Sequence, residues 1–225
     1  MEKTKEKDFV EIEFTGTANG NMFDSNIPED LKKISKESKP KKTIVIIGEE
    51  SVVKGLDKKL EDREIGKEYE VEIPYKEGFG ERKRELVKTI PLHIFTKQKL
   101  NPQPGSAFFM DNAFARVITV SGARVITDFN NPLAGKDLHY KFKIIKKLTN
   151  EKEKVEAFFE NFLKFVPKLK ISEKIIVKGQ KNLEQIIIAL KDKFKELLKK
   201  ELIFEEEKET KKEEKVTEKE TILNN

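Results

Sequence analysis

Aromatic and small apolar residues stand at the ends of several strand-like segments, together with one carboxylate. The set consists of Phe14, Phe23-Asp24, Val52-Val53, Phe79 and Tyr140. Side chains of these types can line a water-poor pocket that binds an apolar segment and holds one polar group. They can equally be the ordinary core of a β-barrel, because aromatic residues on strands are usually buried.

Most other chemistries are excluded by residue types that the chain lacks. There is no cysteine, which excludes disulfides, thiol catalysis and iron–sulfur clusters. His93 and His139 are the only histidines, too few for a multi-histidine metal site. Gly78-Phe79-Gly80 is an isolated GxG fragment followed by charged residues, so it is weak evidence for nucleotide binding. We expect neither a metal nor a cofactor.

The charge of the chain is abundant but nearly balanced. Charged residues make up 39% of the sequence, with 46 Lys and Arg against 41 Asp and Glu. The two signs alternate along the chain, which makes nucleic-acid binding an unfavoured interpretation. No run of apolar residues reaches the ~18 that a membrane span needs, and no charged-then-apolar leader is evident. We therefore expect no membrane association and a cytoplasmic location.

Hydrophobic periodicity predicts the elements that position the aromatic set. Alternation with period two predicts strands at 9–14, 69–73 and 138–148, and the β-branched run at 43–47 predicts another. Asn19-Gly20 predicts a tight turn and hence a hairpin over 9–24. A short amphipathic helix is expected within 50–61. The Lys- and Ser-rich residues 29–42 are interpreted as a solvated connection.

Two further regions follow different patterns. Residues 86–133 hold four of the eight prolines and a hairpin signal at Ser121-Gly122, which predicts a small β unit inserted in the first domain, with strands at 107–110, 113–120 and 123–127. Residues 151–204 predict a third unit, with helices at 155–166 and 183–198 and strands at 169–177 and 202–206. The Lys- and Glu-rich residues 205–225 are expected to be disordered.

Several short motifs resemble, in order and spacing, the FK506-binding type of prolyl isomerase. They are Phe14-Thr15-Gly16, Gly20, Met22-Phe23-Asp24-Ser25, Gly48-Glu49-Glu50-Ser51-Val52-Val53-Lys54-Gly55-Leu56, Gly66 and Gly78-Phe79-Gly80. The inserted segment and the return through Asn131-Pro132-Leu133-Ala134-Gly135-Lys136-Asp137-Leu138 resemble the SlyD-type subfamily with its insert-in-flap domain. Residues 151–204 resemble the C-terminal extension of long archaeal members.

This resemblance implies an α+β, mainly β protein of three parts. Residues 1–85 and 134–149 would form a half-barrel isomerase domain with a short helix. Residues 86–133 would form an inserted β chaperone domain, and residues 150–204 a C-terminal α/β domain. The implied activity is cis–trans isomerisation of X–Pro bonds in unfolded or nascent polypeptides that the insert captures. A non-catalytic holdase chaperone and a ribosome- or RNA-associated factor are the rival functions.

The resemblance also implies a role for each residue of the aromatic set. Asp24 would be the rim carboxylate that faces the twisting carbonyl, and the Val53 N–H would hold the substrate backbone. The proline pocket would be lined by Phe14, Phe23, Val52, Val53, Leu56, Phe79 and Tyr140. Such a site is sufficient, because the ~18–20 kcal/mol barrier to rotation comes from amide resonance and needs no nucleophile. A dry pocket disfavours the charge-separated planar amide relative to the twisted one.

Three positions depart from the family pattern. Phe14 and Phe79 stand where many relatives have tyrosine, and Leu56 stands where drug-binding human relatives have tryptophan. These departures argue against macrolide binding more than against catalysis. Some SlyD-type relatives bind nickel through a histidine-rich tail, and the segment from Glu205 to Asn225 contains no histidine.

The insert and the C-terminal domain are expected to bind other chains. The insert is unusually apolar, with Phe95, Phe108, Phe109, Met110, Phe114, Val117 and Phe129. These residues form either its core or an exposed groove for unfolded chain, and the first five are the substrate-binding candidates. The C-terminal domain is expected either to form a homodimer or to pack on the isomerase domain.

Overall fold

The computed structural model describes residues 2–110 and 113–207. The chain forms two compact units, which meet between Ala157 and Phe158 in sequence. Within the described residues, no helix is long and apolar enough to cross a membrane.

The described residues form twelve strands and five α-helices. The strands are β1 (Phe9–Ala18), β2 (Asn21–Ser25), β3 (Thr43–Ile46), β4 (Glu68–Ile73), β5 (Val87–Pro91), β6 (Ala107–Met110), β7 (Ala113–Ser121), β8 (Arg124–Asp128), β9 (Leu138–Lys147), β10 (Lys168–Ile171), β11 (Ile175–Gly179) and β12 (Leu202–Glu206). The α-helices are α1 (Pro28–Ile34), α2 (Lys54–Lys59), α3 (Leu92–Lys97), α4 (Glu151–Leu163) and α5 (Glu184–Leu198). The mixed α+β, mainly β class is confirmed.

A five-stranded antiparallel sheet forms the first domain. It runs in the order β2-β1-β9-β4, and β3 also pairs with β1. Since β9 lies between β1 and β4, the chain between β4 and β9 is an insertion into one sheet. The core beneath the sheet is built from alternating strand residues and α2, namely Val10, Ile12, Phe14, Ala18, Val45, Ile47, Leu56, Leu60, Ile73, Leu138, Tyr140, Phe142 and Ile144.

The β1–β2 hairpin turns as its sequence predicts. Asn19 and Gly20 both have positive φ, 51° and 77°, which is what a tight two-residue hairpin turn requires. The connection that follows is only partly a solvated loop, because residues 28–34 form α1. Pro28 at its start, Glu29 and Asp30 in its first turn and lysines in its last turn all favour this helix.

The insert is a four-stranded antiparallel sheet in the order β5-β8-β7-β6. Its core contains Phe95, Met110, Val117 and Val125. The predicted strands within 107–127 are present, whereas β5 and α3 were not predicted. Two hydrogen bonds brace the base of the insert. Arg82 Nη2 donates to Asp128 Oδ2 at 2.7 Å, and the backbone N–H of Lys83 donates to Asn130 Oδ1 at 2.8 Å.

The C-terminal unit contains a three-stranded sheet in the order β10-β11-β12. The single strand expected at 169–177 is wrong, because residues 172–174 turn the chain and β10 pairs antiparallel with β11. β11 and β12 are parallel and α5 connects them. Phe158 of α4 and Phe194 of α5 pack with ring centroids 4.9 Å apart in the core of this unit.

The segment expected to be a charged tail begins inside β12, which continues to Glu206. Residues 208–225, the remainder of that segment, lie outside the described residues.

Candidate functional site

A cavity of about 590 Å³ opens beside β1, β2 and α2. It brings together all eight residues that the sequence assigned to the proline pocket: Phe14, Phe23, Asp24, Val52, Val53, Leu56, Phe79 and Tyr140. These residues come from five separate segments between positions 14 and 140. Their convergence on one cavity makes it the candidate active site.

Three edge-to-face and tilted ring contacts build the aromatic wall. The Phe23 and Tyr140 ring centroids lie 5.8 Å apart at an interplanar angle of 88°. Phe23 also meets Phe79 at 6.2 Å and 83°, and Phe14 meets Tyr140 at 6.1 Å and 50°. Edge-to-face geometry is the favoured arrangement of aromatic pairs and fixes the ring positions.

The strand β1 must lie close to these rings, and Gly16 allows it. A β-carbon built on Gly16 would lie 2.8 Å from Cζ of Phe23, a separation that real side chains do not tolerate. The glycine in the Phe14-Thr15-Gly16 motif therefore has a local packing reason.

A hydrogen-bond network holds the chain that follows Asp24. Asn26 Nδ2 donates to the Ile12 carbonyl at 2.7 Å, and Asn26 Oδ1 accepts from Phe14 N at 2.8 Å. Ser25 Oγ donates to the Phe14 carbonyl at 2.9 Å. These bonds tie the end of β2 to β1 and so fix the position of the neighbouring Asp24.

The electrostatics of the cavity are set by limited access to water. Asp24 is exposed on the rim, yet surrounding protein desolvates its carboxyl enough to raise its pKa, against a hydrogen bond from the Ser25 backbone that lowers it. Tyr140 is buried, and burial, followed by the nearby Asp24 charge, raises the pKa of its hydroxyl. Tyr140 is therefore a neutral hydroxyl in a poorly hydrated site.

The start of α2 offers a backbone donor to the cavity. α2 begins after Val53, whose carbonyl accepts from Leu56 N at 2.9 Å and Asp57 N at 3.0 Å. No acceptor within residues 2–110 and 113–207 receives the Val53 N–H. This N–H can therefore bind a substrate carbonyl without first breaking a bond to the protein.

Asp57 holds the loop that leads to Val52 and Val53, and sequence reasoning missed it. Its two carboxylate oxygens each lie 3.1 Å from Gly48 N, and Oδ2 accepts Glu50 N at 2.9 Å. Burial raises the pKa of this carboxyl, while the Glu50 and Gly48 hydrogen bonds lower it. The sequence carried no signal for these bonds, because all partners are backbone groups.

The turn that carries Phe79 is braced by the segment that returns from the insert. Gly135 N donates to the Gly80 carbonyl at 2.7 Å. Asp137 Oδ1 accepts Tyr75 N at 2.8 Å. The motifs around Phe79 and after Pro132, which lie far apart in sequence, thus form one local structure.

A second depression of about 480 Å³ also touches Tyr140. It is lined by polar and charged side chains such as Glu70, Glu72 and Lys141 and by none of the pocket phenylalanines. The first cavity therefore remains the candidate site.

The insert divides its five candidate residues between core and surface. Phe95 has no exposed surface, so it is a core residue rather than a binding residue. Met110 is buried as well. Phe108 is half-buried against Phe95, with ring centroids 5.9 Å apart. Phe109 and Phe114 are 73% and 50% exposed and pair across β6 and β7.

A groove of about 450 Å³ also crosses the insert. It is lined by Leu86, Lys88, Thr89, Ile90, Pro91, Ile94, Gln98, Met110, Ala113 and Phe129. Sequence reasoning missed Ile90 and Ile94, because the strand β5 and helix α3 that carry them were not predicted.

Comparison with known families agrees with this geometry. Residues 1–97 match the family model of the FKBP-type peptidyl-prolyl cis-trans isomerase. Residues 88–133 match the model described as the FKBP26 IF domain. The two matches together extend over residues 1–133 and include seven of the eight cavity residues, all except Tyr140.

Curated relatives carry the same description. A short-type peptidyl-prolyl cis-trans isomerase of Methanocaldococcus jannaschii is 29% identical over 144 residues, which cover 62% of this chain and 91% of that protein. The FKBP-type isomerase SlyD of Haemophilus influenzae is 31% identical over 103 residues, 44% of this chain and 53% of the relative. SlyD of Helicobacter pylori is 27% identical over 150 residues, 64% of this chain and 74% of the relative.

The matched domains, the named relatives and the aromatic cavity all agree with one another. The chain belongs to the FKBP-type peptidyl-prolyl cis-trans isomerases, with an IF domain inserted between two strands of its catalytic sheet.

Proposed function

We propose that the enzyme isomerises X–Pro bonds in unfolded or nascent polypeptides, and that its IF domain binds those chains. The observation that carries the proposal is the convergence of eight aromatic, apolar and acidic residues on one cavity. We assign its action to the cytoplasm, where nascent chains are made.

The cavity has the groups that rotation about the bond needs. A proline ring among Phe23, Phe79 and Tyr140 leaves water, which disfavours the planar, charge-separated amide relative to the twisted one. The Val53 N–H holds a substrate carbonyl, and Asp24 faces the carbonyl that turns. No proton transfer to or from the protein is required.

The IF domain supplies a second binding surface. Phe109 and Phe114 are exposed on β6 and β7, and β6 is an edge strand of its sheet. Exposed aromatic residues on a sheet edge suit an extended apolar segment, which can also pair with the strand. A chain held there meets the proline cavity at a raised effective concentration.

The test compares a short proline peptide with a protein whose refolding is limited by proline isomerisation. Replacing residues 86–133 by a short loop is expected to lower the ratio of protein activity to peptide activity severalfold. Equal losses on both substrates would mean that the insert shapes the cavity. Aggregation suppression without any isomerisation would instead support the holdase alternative.

We also propose that the C-terminal unit self-associates. Phe158 is fully buried in the core of its own unit and is therefore not part of a docking surface. Ile186 and Ile188 on α5 are exposed. They are two positions apart and so lie on different faces of the helix, and either face can bury its isoleucine against a second copy.

Sedimentation of the full chain at micromolar concentration tests this proposal. We expect a dimer that becomes a monomer in the variant Ile186→Lys/Ile188→Lys. The matched control is Ile34→Lys, which changes an exposed isoleucine of the isomerase domain. A parent chain that sediments as a monomer contradicts the proposal.

A further inference from the structure

The connection between α1 and β3 places two lysines on the wall of the proline cavity. Lys39 and Lys41 line it together with Ser38 and Thr43. Among the residues that the structure describes, the other ionisable side chains of the wall are Asp24 and Tyr140. Tyr140 is neutral, so the cavity carries two positive charges against one negative charge.

These two positive charges are not neutralised by the protein. Within residues 2–110 and 113–207, neither the Lys39 nor the Lys41 ammonium has a carboxylate at ion-pair distance. Two neighbouring lysines are paired instead. Lys33 Nζ lies 2.8 Å from Asp30 Oδ1, and Lys42 Nζ lies 3.1 Å from Glu11 Oε2. The segment 32–42 has six lysines and one glutamate. An excess of positive charge therefore remains in this segment although two of its lysines are paired.

The backbone limits how far these lysines can move from the cavity. Pro40 lies between them and fixes its own φ near −65°. Lys41 is two residues before Thr43, which pairs with Ile12 in the main sheet. An extended substrate advances ~3.3–3.6 Å per residue, so the residues next to an X–Pro pair in the cavity extend along the wall that these lysines line.

The lining of the groove in the insert also carries positive charge. Among residues 2–110 and 113–207, Lys88 is the charged residue that lines the groove, and its Nζ lies 5.5 Å from the Phe129 ring centroid. The sequence of residues 88–133 holds five lysines and arginines against two aspartates. As far as the described residues show, both candidate binding surfaces therefore combine apolar contact area with lysine side chains.

We propose that Lys39 and Lys41 are specificity determinants that direct the enzyme to X–Pro bonds with acidic residues close by in sequence. This inference rests on the proposed proline cavity. A glutamate or aspartate beside the X–Pro pair meets unpaired ammonium groups, whereas a lysine or arginine is repelled. The apolar wall favours a polypeptide over a nucleic acid, since it offers aromatic contacts for a proline ring.

The test uses peptides with one Ala-Pro pair flanked on either side by Ala, Glu or Lys. Both the isomerisation rate, by exchange NMR, and the dissociation constant are measured for the full chain. We expect the Glu peptides to exceed the Lys peptides roughly three- to tenfold in kcat/KM and in affinity at low salt. The preference should nearly vanish at about 0.5 M salt, where charges are screened over a few ångströms.

Two double variants and one matched control locate the effect. Lys39→Gln/Lys41→Gln should remove most of the Glu-over-Lys preference, and Lys39→Glu/Lys41→Glu should reverse it. Lys36→Gln removes one positive charge from the same connection, at a residue that does not line the cavity, and it should keep the preference.

The outcomes separate this inference from the isomerase site itself. Equal binding of Glu and Lys peptides by the parent chain overturns the inference, as does a loss in Lys36→Gln equal to that of the double variant. Competition by single-stranded RNA without a preference among peptides also overturns it. Absence of isomerisation with every peptide refutes the proposed cavity, and in that case the dissociation constants still decide the role of the lysines.

Discussion

Gly16 and Tyr140 are partners across the β1–β9 pair, and a β-carbon on Gly16 would lie 2.9 Å from Cε1 of the Tyr140 ring. The ring occupies the space that any other residue's side chain would fill. The distance between strand and ring therefore sets the shape of the proline cavity.

Gly16→Ala should reduce isomerisation of a short peptide by about tenfold or more, because the added methyl displaces the Phe23 and Tyr140 rings. We expect a loss of about 1–3 kcal/mol in the free energy of unfolding from overpacking. Exchange NMR and chemical denaturation measure the two effects. Gly20→Ala is the control, since its methyl meets no atom within 4 Å but its φ of +77° is unfavourable for alanine. It should lose stability and keep its activity; a similar activity loss in both variants would contradict the assignment.

Asp24→Asn should separate activity from stability. The carboxyl has a pKa raised above the ordinary value of 3.8, mainly by burial. Its charged form therefore destabilises the fold at neutral pH, and this penalty disappears as the pH falls through the raised pKa. We expect Asp24→Asn to increase the melting temperature at pH 7 and to lower the isomerisation rate.

The pH profile of Asp24→Asn provides the independent check. In the parent chain, activity should fall with decreasing pH at a midpoint above 3.8. The variant should lack this step, because the amide does not titrate. A parent and a variant with the same profile would show that Asp24 does not act on the substrate.

Asp57→Asn should have the opposite effect on stability, although burial raises the pKa of this carboxyl too. The amide has one acceptor oxygen instead of two and no charge, and its NH2 group would lie against the Gly48 N–H, so we expect a loss of about 1–2 kcal/mol. Activity should also fall, because the loop before Val53 loosens. Asp62→Asn is the control, since Asp62 only pairs with Lys3 on the surface at 3.0 Å. Equal unfolding free energies of Asp57→Asn and the parent chain would refute the stabilising role of the Asp57 carboxylate.

Phe109→Ser/Phe114→Ser should lower the ratio of protein-refolding activity to short-peptide activity severalfold. Both side chains are exposed, so their replacement removes client contacts and few core contacts. The comparison is with Ile34→Ser, an exposed apolar residue of the isomerase domain. If both variants keep the parent ratio, clients bind elsewhere on the insert.

The strands and the aromatic set could be predicted from sequence because their signals are local or ordered. β1 and β9 alternate with period two, and motif order placed Phe14, Phe23 and Phe79 in one family pattern. Helix α1 starts with a proline and has favourably placed charges, but Leu31 and Ile34 are too few apolar residues for a visible stripe.

Other features depend on tertiary contacts that sequence patterns do not encode. The turn at 172–174 contains neither glycine nor proline, so two strands looked like one. Lys39 and Lys41 belong to a charged run, and only the path of the chain shows that they line the cavity. The bonds of Asp57 depend on the backbone conformation of a loop seven to nine residues away.

Ile73 at the end of β4 pairs with Leu138 at the start of β9, so the two attachment points of residues 74–137 are neighbours in one sheet. The entropy of closing a chain over such a pair grows only slowly with its length. The catalytic sheet therefore constrains the separation of these two ends and, beyond the braced turn that carries Phe79, little of what lies between them. A different module with adjacent termini could be exchanged for residues 86–133, and client selection could change while the chemistry of bond rotation stays the same.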